Sequence, residues 1–339
     1  MSDLIRIAVD AMGGDNAPAS IVEGAVMAVN ESKEIMVYLT GDQEAVRKEL
    51  DKYTYDADRL QIVHASEVIT NEEHPAMAIH DKPDSSIVVG ERMVRDGKAD
   101  AFISGGSTGA VLVGGQLIVG RIRGVRRPAL ASIIPTDKGF SLLIDCGANV
   151  DAKPEQLLQY AQMGTIYLSN IMHIQNPEVR ILNIGAEEEK GNALVQETFP
   201  LLKACSDINF KGSIEARDVP YGAADIIVCD AFAGNIVLKM YEGAASMLFK
   251  NIKAALLSTF RSKIGALLIK KSLKEKLKQF DITKYGGAPM LGLRGLVAKV
   301  HGNASSKEVK HAILQCIDYK KNDIQGKVAM AIRQEGSAD

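Results

Sequence analysis

The sequence has no tryptophan, and its aromatic content is only 5% of 339 residues. No aromatic residue is interleaved with the arginines of its 121–127 run, which leaves base stacking there, and with it a single-stranded nucleic acid partner, little support. There are four cysteines, Cys146, Cys205, Cys229 and Cys316, far apart and without CxxC spacing. That excludes a zinc ribbon and a disulfide framework and fits a reducing cytoplasm. No charge sign dominates: 40 Lys and Arg stand against 42 Asp and Glu, so any acidic partner must be held by a local patch. No apolar run reaches the roughly 18 residues of a membrane span. The opening MSDLIRIAVDAMGGDNAP lacks the basic and apolar regions of a secretory leader, so secretion is not expected. HExxH, GxGxxG and a Walker A lysine are all missing, which disfavours zinc peptidases, dinucleotide oxidoreductases and nucleotide-driven motors.

What is present is ordinary globular material, 46% hydrophobic and 24% charged. Short apolar runs ending in small residues alternate with segments of helical periodicity, the signature of a parallel sheet covered by helices. Strands are predicted at 5–9, 35–39, 60–63, 101–103, 129–134, 142–144, 179–184, 208–210 and 226–228. Helices are predicted at 18–29, 43–52, 85–95, 108–118, 154–170, 192–204 and 235–260. The expected fold is α/β, a Rossmann-like three-layer α/β/α sandwich with a mostly parallel sheet. One domain over 1–339 is expected, carrying an amphipathic helical elaboration at 246–282.

Such sheets bind ligands outside the carboxyl ends of their strands, so the loops after the strands are the places to look. The first, Asp10 to Pro18, holds Gly13 and Gly14, where backbone can approach a ligand closely; an ordinary tight turn accounts for it as well. The second, Ser104-Gly105-Gly106-Ser107-Thr108-Gly109-Ala110, combines three glycines with three hydroxyls before a helix, a composition suited to an oxyanion. In the third, Asp145 has the chemistry to hold a cation or to accept backbone amides, and Asn149 follows it. Lys190, in the turn beginning at Gly185, suits either an anion or bulk solvent beside three glutamates. Asn235, after Gly234, suits either an amide donor or a helix N-cap. Among six histidines only His301, in a late His-Gly-Asn turn, is a candidate. No metal site and no cofactor are expected.

Two segments suit partners. Residues 250–278 hold nine Lys or Arg, including Lys263, Lys270 and Lys271, and one acid, Glu275. Phe249, Ile252, Leu256, Phe260, Ile264, Leu267 and Leu268 recur at helical spacing among them, so the segment suits an anionic membrane surface or a dimer interface. Arg121, Arg123, Arg126 and Arg127 crowd one turn, which suits an acidic protein partner or simply solvent.

Six segments in order, Asp10 to Pro18, Ser104 to Ala110, DCGANVDAKPE from Asp145, GAEEEKGNAL from Gly185, DAFAGNIVLK from Asp230 and YGGAPMLGL from Tyr285, resemble the PlsX family of bacterial phosphate acyltransferases from about Ile7 to Ser305. The resemblance implies transfer of a long-chain acyl group from acyl carrier protein to inorganic phosphate, giving acyl phosphate for phospholipid synthesis. It further implies a homodimer in the cytoplasm, peripherally associated with the inner face of the cell membrane. There it would pass its product to a membrane-embedded glycerol-3-phosphate acyltransferase. Lys190 and Asn235 match the family's catalytic pair. Asn16 stands where the family's first loop commonly has histidine, and Ser107 where its second commonly has asparagine.

Phosphate is anionic near neutrality, so the expected chemistry is direct attack on the thioester with no side-chain nucleophile. Ser107, Thr108 and Gly109 would cradle the anion, Lys190 balance its charge and Asn235 steady the oxyanion. A short-chain enzyme using acetyl-CoA, an oxidoreductase of the isopropylmalate dehydrogenase type and a noncatalytic membrane scaffold are the competing readings.

Overall fold

The computed structural model describes residues 4–277, 280 and 282–335. The chain begins β1 (Ile5–Asp10), α1 (Ala19–Glu31), β2 (Ile35–Gly41), α2 (Gln43–Leu50), β3 (Leu60–His64), α3 (Pro75–Asp81), α4 (Ser86–Arg95), β4 (Ala101–Ser104) and α5 (Thr108–Gly114). It continues through β5 (Ala129–Thr136), β6 (Gly139–Ile144), α6 (Pro154–Ile171), β7 (Glu178–Asn183), α7 (Ala193–Ala204), β8 (Asn209–Glu215) and β9 (Ile226–Val228). The last part holds α8 (Ala231–Leu257), α9 (Phe260–Leu277), β10 (Ala288–Leu291), β11 (Leu296–Lys299), α10 (Ser306–Lys321) and α11 (Ile324–Glu335).

The strands form one sheet in the order β3-β2-β1-β4-β11-β10-β5-β6-β9-β7-β8. Two parallel wings, β3-β2-β1-β4-β11 and β6-β9-β7-β8, meet across antiparallel pairings of β10 with β11, β10 with β5 and β5 with β6. Successive side chains of a strand point to opposite faces, and here both faces are apolar. Ile7, Ile103, Leu142, Ile144 and Ile226 pack on one side with α1, α2, α6, α7, α10 and α11. Ala8, Phe102, Leu143 and Ile227 pack on the other with α3, α4, α5 and the start of α8. The three-layer α/β/α sandwich read from the sequence is the fold.

All nine expected strands are present. The two that the periodicity misses, β10 and β11, lie in a glycine-rich stretch, and α3, α10 and α11 are also additions. The expected helix at 108–118 runs as α5 and then as a π turn at Gly115–Val119.

The helix expected from Asn235 starts earlier, because the Asp230 carboxylate accepts the Ala233 N–H at 2.8 Å and caps α8 there. Asn235 therefore sits one turn inside the helix and is not its N-cap. The basic segment is not one continuous helix either. Backbone turns at Ser258 and Thr259, where Ser262 Oγ accepts the Thr259 N–H at 2.9 Å and Thr259 Oγ1 accepts the Ser262 N–H at 3.1 Å. This reciprocal cap begins α9. The boundary expected at residue 246 thus falls inside α8, and residues 278, 279 and 281 of the 246–282 elaboration lie outside the described residues, as do 1–3 and 336–339 of the domain.

The C-terminal α10 closes the first wing by lying on α1. A capping box fixes its start: Glu308 Oε2 accepts the Ser305 N–H at 2.6 Å and Ser305 Oγ accepts the Glu308 N–H at 3.4 Å. The helices meet at Gly24, where a Cβ would lie 2.7 Å from both the Ser306 carbonyl oxygen and Val309 Cβ. Gly24→Ala gains about 1 kcal/mol of helix propensity but must push backbone aside, so a net loss of roughly 1–2 kcal/mol is expected. The urea midpoint measures it; an unchanged midpoint would show that α1 and α10 do not pack this closely.

Candidate active site

Parallel register brings three polar strand ends side by side. Val9 pairs with Ile103, and Lys299 pairs with Ser104, so Asp10, Ser104 and Lys299 finish β1, β4 and β11 at one edge. This is also where the strand order reverses, the position at which open α/β sheets leave a crevice. Asp10 is buried; its Oδ2 accepts the Ser104 hydroxyl at 2.6 Å and its Oδ1 the Met12 N–H at 3.1 Å. Ser104 Oγ in turn accepts the Gly106 N–H at 2.9 Å, which shapes the glycine loop. Burial pushes the Asp10 carboxyl up, while hydrogen bonds from Ser104, Ser86 and Met12 and the charge of Lys299 pull it back.

Gly13 and Gly14 let the first two loops touch. A Cβ on Gly13 would lie 2.2 Å from Asp10 Oδ2 and 2.6 Å from the Gly106 nitrogen. Gly14 has φ +111°, and the Asp15 N–H beside it donates to the Gly302 carbonyl at 2.7 Å. Asn16 donates from its side chain to the Asn303 carbonyl at 3.3 Å. The loops after β1, β4 and β11 are thereby laced together.

The second wing repeats the device with Asp145, which is buried after β6. Its carboxylate accepts the N–H groups of Leu130, Gly147, Ala148 and Asn149 at 2.8–3.1 Å and the Asn149 side-chain amide at 2.7 Å. Of the two possibilities left by the sequence, the one realised is the binding of backbone amides. Burial raises its carboxyl against the pull of those bonds. Asn149 also donates to the Pro128 carbonyl at 2.7 Å and accepts the Ala231 N–H, which fastens the start of α8. Gly234 completes that contact: a Cβ there would lie 2.0 Å from the Asp145 carbonyl oxygen.

Between the wings opens a cavity of about 560 Å³. Gly105, Gly106, Thr108 and Gly109 line one side, Cys146 and Gly147 another, Asn235, Lys239 and Glu242 of α8 a third, and Lys299, His301 and Glu308 a fourth. Of the residues expected from the sequence, Thr108, Gly109, Asn235 and His301 therefore share one cavity. Asp10, Gly13, Gly14, Ser104, Asp145, Asn149 and Gly234 form its supports behind the wall. Ser107 is buried as the N-cap of α5, its Oγ accepting the Ala110 N–H at 3.4 Å, and does not line the cavity.

Lys190 and Gly185 do not line it either. The lysine stem folds over Gly185, and its ammonium pairs with Glu187 at 2.8 Å, which raises its pKa. The pair is exposed, on the loop after β7, the strand next to β9. Lys299, Lys239 and Glu242 were missed by sequence reasoning; for Lys299 the only available signal is one lysine ending the apolar run Leu-Val-Ala.

The Cys146 thiol donates to the Leu130 carbonyl at 3.2 Å, and burial, with the Asp145 charge, pushes its pKa well up. It stays a neutral thiol and a poor nucleophile. Among the described residues no group of three or more His, Cys, Asp or Glu is placed to hold a metal ion, and no described helix is long and apolar enough to cross a membrane.

Arg121, Arg123, Arg126 and Arg127 are exposed on a turn clamped by Gln159, which accepts the Arg126 N–H at 2.9 Å and donates to the Gly124 carbonyl at 3.1 Å. Arg294 joins them, donating to the Arg121 carbonyl at 3.1 Å. Lys263, Lys270 and Lys271 are exposed on α9, beside Phe260, Leu267 and Leu268, which are 78%, 71% and 80% exposed.

Comparison with known proteins agrees with this architecture. Residues 5–327 match the family model described as fatty acid synthesis protein. A phosphate acyltransferase of Clostridium perfringens (strain SM101 / Type A) is 47% identical over 331 residues, 98% of each chain. One from Alkaliphilus oremlandii (strain OhILAs) is 47% identical over 332 residues, again 98% of each. Among solved structures, a phosphotransacetylase from Streptococcus pyogenes superposes with a TM-score of 0.62 at 17% identity, covering 94% of each chain. The EutD phosphotransacetylase from Staphylococcus aureus does so at 0.57 and 15%, also over 94% of each; these two likenesses are of fold. The chain belongs to the fatty acid synthesis protein family, and specifically among its phosphate acyltransferases.

Proposed function

We propose that the protein transfers a long-chain acyl group from acyl carrier protein to inorganic phosphate. The observation that carries the reading is the cavity in which the bare backbone of the 105–109 loop faces Asn235 across the junction of the two wings. A phosphate oxygen held against the loop attacks the thioester carbonyl carbon. The side-chain amide of Asn235 donates to the oxyanion that develops. Collapse breaks the carbon–sulfur bond, forms the acyl phosphate anhydride and releases the carrier thiolate, which takes up a proton. Positioning supplies most of the acceleration, since the nucleophile arrives charged. Thr108 adds a hydroxyl to the cradle, and Ser107 acts through the cap that orders the loop.

Lys190 enters the proposal by its place on the loop after β7, the strand beside β9. Its ion pair with Glu187 is exposed, and such pairs are worth little, so exchanging Glu187 for a substrate oxygen costs little. The exposed arginines with Arg294 suit an acidic carrier protein. The apolar and basic exposed faces of α8 and α9 suit a second copy of the chain or an anionic leaflet, from which the product would pass to a membrane-embedded glycerol-3-phosphate acyltransferase. This is the basis for proposing a homodimer and a cytoplasmic protein at the inner membrane face.

Incubating the protein with palmitoyl-carrier protein and phosphate should yield acyl phosphate, with acetyl-CoA a much poorer donor; a preference for acetyl-CoA would establish the short-chain alternative instead. Asn235→Ala should lower turnover about a hundredfold or more, the loss of one oxyanion donor at 2.7–4 kcal/mol. Near-normal turnover at saturating phosphate removes Asn235 from the reaction. Lys190→Ala should both raise the phosphate requirement and slow turnover, and an unaltered phosphate dependence removes Lys190.

A further inference from the structure

The strand β11 reads Leu-Val-Ala-Lys, and its parallel register beside β4 sets the lysine level with Ser104, at the root of the glycine loop. The stem is partly buried, and the ammonium donates to the Val300 carbonyl within a wall of the cavity. Two other lysines near the proposed chemistry are already paired: Lys190 with Glu187, and Lys239 with Glu242 at 3.5 Å. Among the described residues, Lys299 has no such bond. Asp10 and Asp15 act on it through space, and Asp10, the stronger influence of the two, is occupied by Ser104 and Met12. A cation drawn partly out of water in a cavity wall, with no bonded carboxylate among the described residues, attracts an anion.

We propose that Lys299 is the anion-binding cation of the cavity, its ammonium receiving the inorganic phosphate that lies against the 105–109 loop. The inference rests on the phosphate-transfer reading above and adds a binding residue to it. Arrangement favours one bound oxyanion: the Gly105 main chain and the Thr108 hydroxyl on one side, a point charge on the adjoining strand end. Asp10 behind the lysine supplies the opposite charge that keeps the ammonium in place when the cavity is open.

A pH signature follows. Burial lowers the Lys299 ammonium to about 8, with Lys239 adding to the effect and Asp10 and Asp15 opposing it. Besides Lys239, the ionisable side chains on the cavity wall include Cys146 after β6, Glu242 of α8, His301 after β11 and Glu308 of α10. Lys299 is charged below that value and neutral above it. Phosphate affinity should therefore weaken as pH rises through about 8, approaching tenfold per pH unit beyond it.

Calorimetric titration of the intact protein with inorganic phosphate, without any acyl donor, tests this directly. Lys299→Met should weaken phosphate binding about ten- to a hundredfold, the range for a charge-assisted hydrogen bond. Lys299→Arg, which keeps a charge that does not titrate, should retain binding and lose the alkaline decline. The arginine variant carries the test if the methionine variant does not fold. Equal phosphate affinity in wild type and Lys299→Met, or an alkaline decline that persists in Lys299→Arg, overturns the assignment while leaving acyl phosphate formation standing. A wild-type protein that neither binds phosphate nor forms acyl phosphate overturns both this inference and the reading beneath it.

Discussion

The structure of the candidate site depends on one buried carboxylate. Asp10 is buried, so its oxygens need donors, and the chain supplies them. The donors it recruits, the Ser104 hydroxyl and the Met12 amide, belong to different strand ends. Each bond fixes a loop: Met12 turns the chain after β1, and Ser104 passes the constraint on to the Gly106 amide. Removing one partner would leave the other buried and unpaired, so the arrangement holds as a unit. The glycines at 13 and 14 are the sequence's concession to this closeness, since side chains there would collide with Asp10 and with the Gly302 carbonyl.

Asp145 solves the same problem in the other wing by a different route. It gathers four main-chain amides and a side-chain amide, and through Asn149 it fastens α8. Two buried aspartates at strand ends thus set two rigid loop systems, one carrying the glycine loop and the other carrying Asn235. The antiparallel strands β10 and β5 join the wings and bring these systems to opposite walls of one cavity. A parallel sheet alone would have left them at separate crevices.

Much of this was legible in the sequence because it is local. Apolar runs such as Ile5 to Val9 and Ile226 to Val228 declare buried strands, and the loops that follow them carry the glycines, Asp10, Asp145 and Asn235. What escaped is non-local. The strand ending in Lys299 is short and flanked by glycines, and nothing within it says that it will insert beside β4, almost two hundred residues earlier. Asn235 suits a cap as readily as an amide donor when the helix is taken to open there, whereas Asp230 captures the free amide of Ala233 and moves the helix start back. The break at Ser258 and Thr259 escaped because the lysine and leucine spacing continues across it.

The charges at the strand ends are graded with depth. On α4 lies Glu91, fully buried, with both carboxyl oxygens unpartnered among the described residues. Burial, and then the charge of Asp10, raise its pKa well above the ordinary range, so it is held as the neutral acid. It leans on Gly114, where a Cβ would lie 1.9 Å from Glu91 Oε2, just where α5 gives way to the π turn. Next outward is Asp10, whose hydrogen bonds and neighbouring lysine offset part of the cost of burial. Outermost is the Lys299 ammonium on the cavity wall. Were Glu91 ionised as well, two buried anions would face one cation and repel an incoming oxyanion. With Glu91 neutral, Asp10 and Lys299 balance each other, and the first charge an anion meets on this side of the cavity is positive.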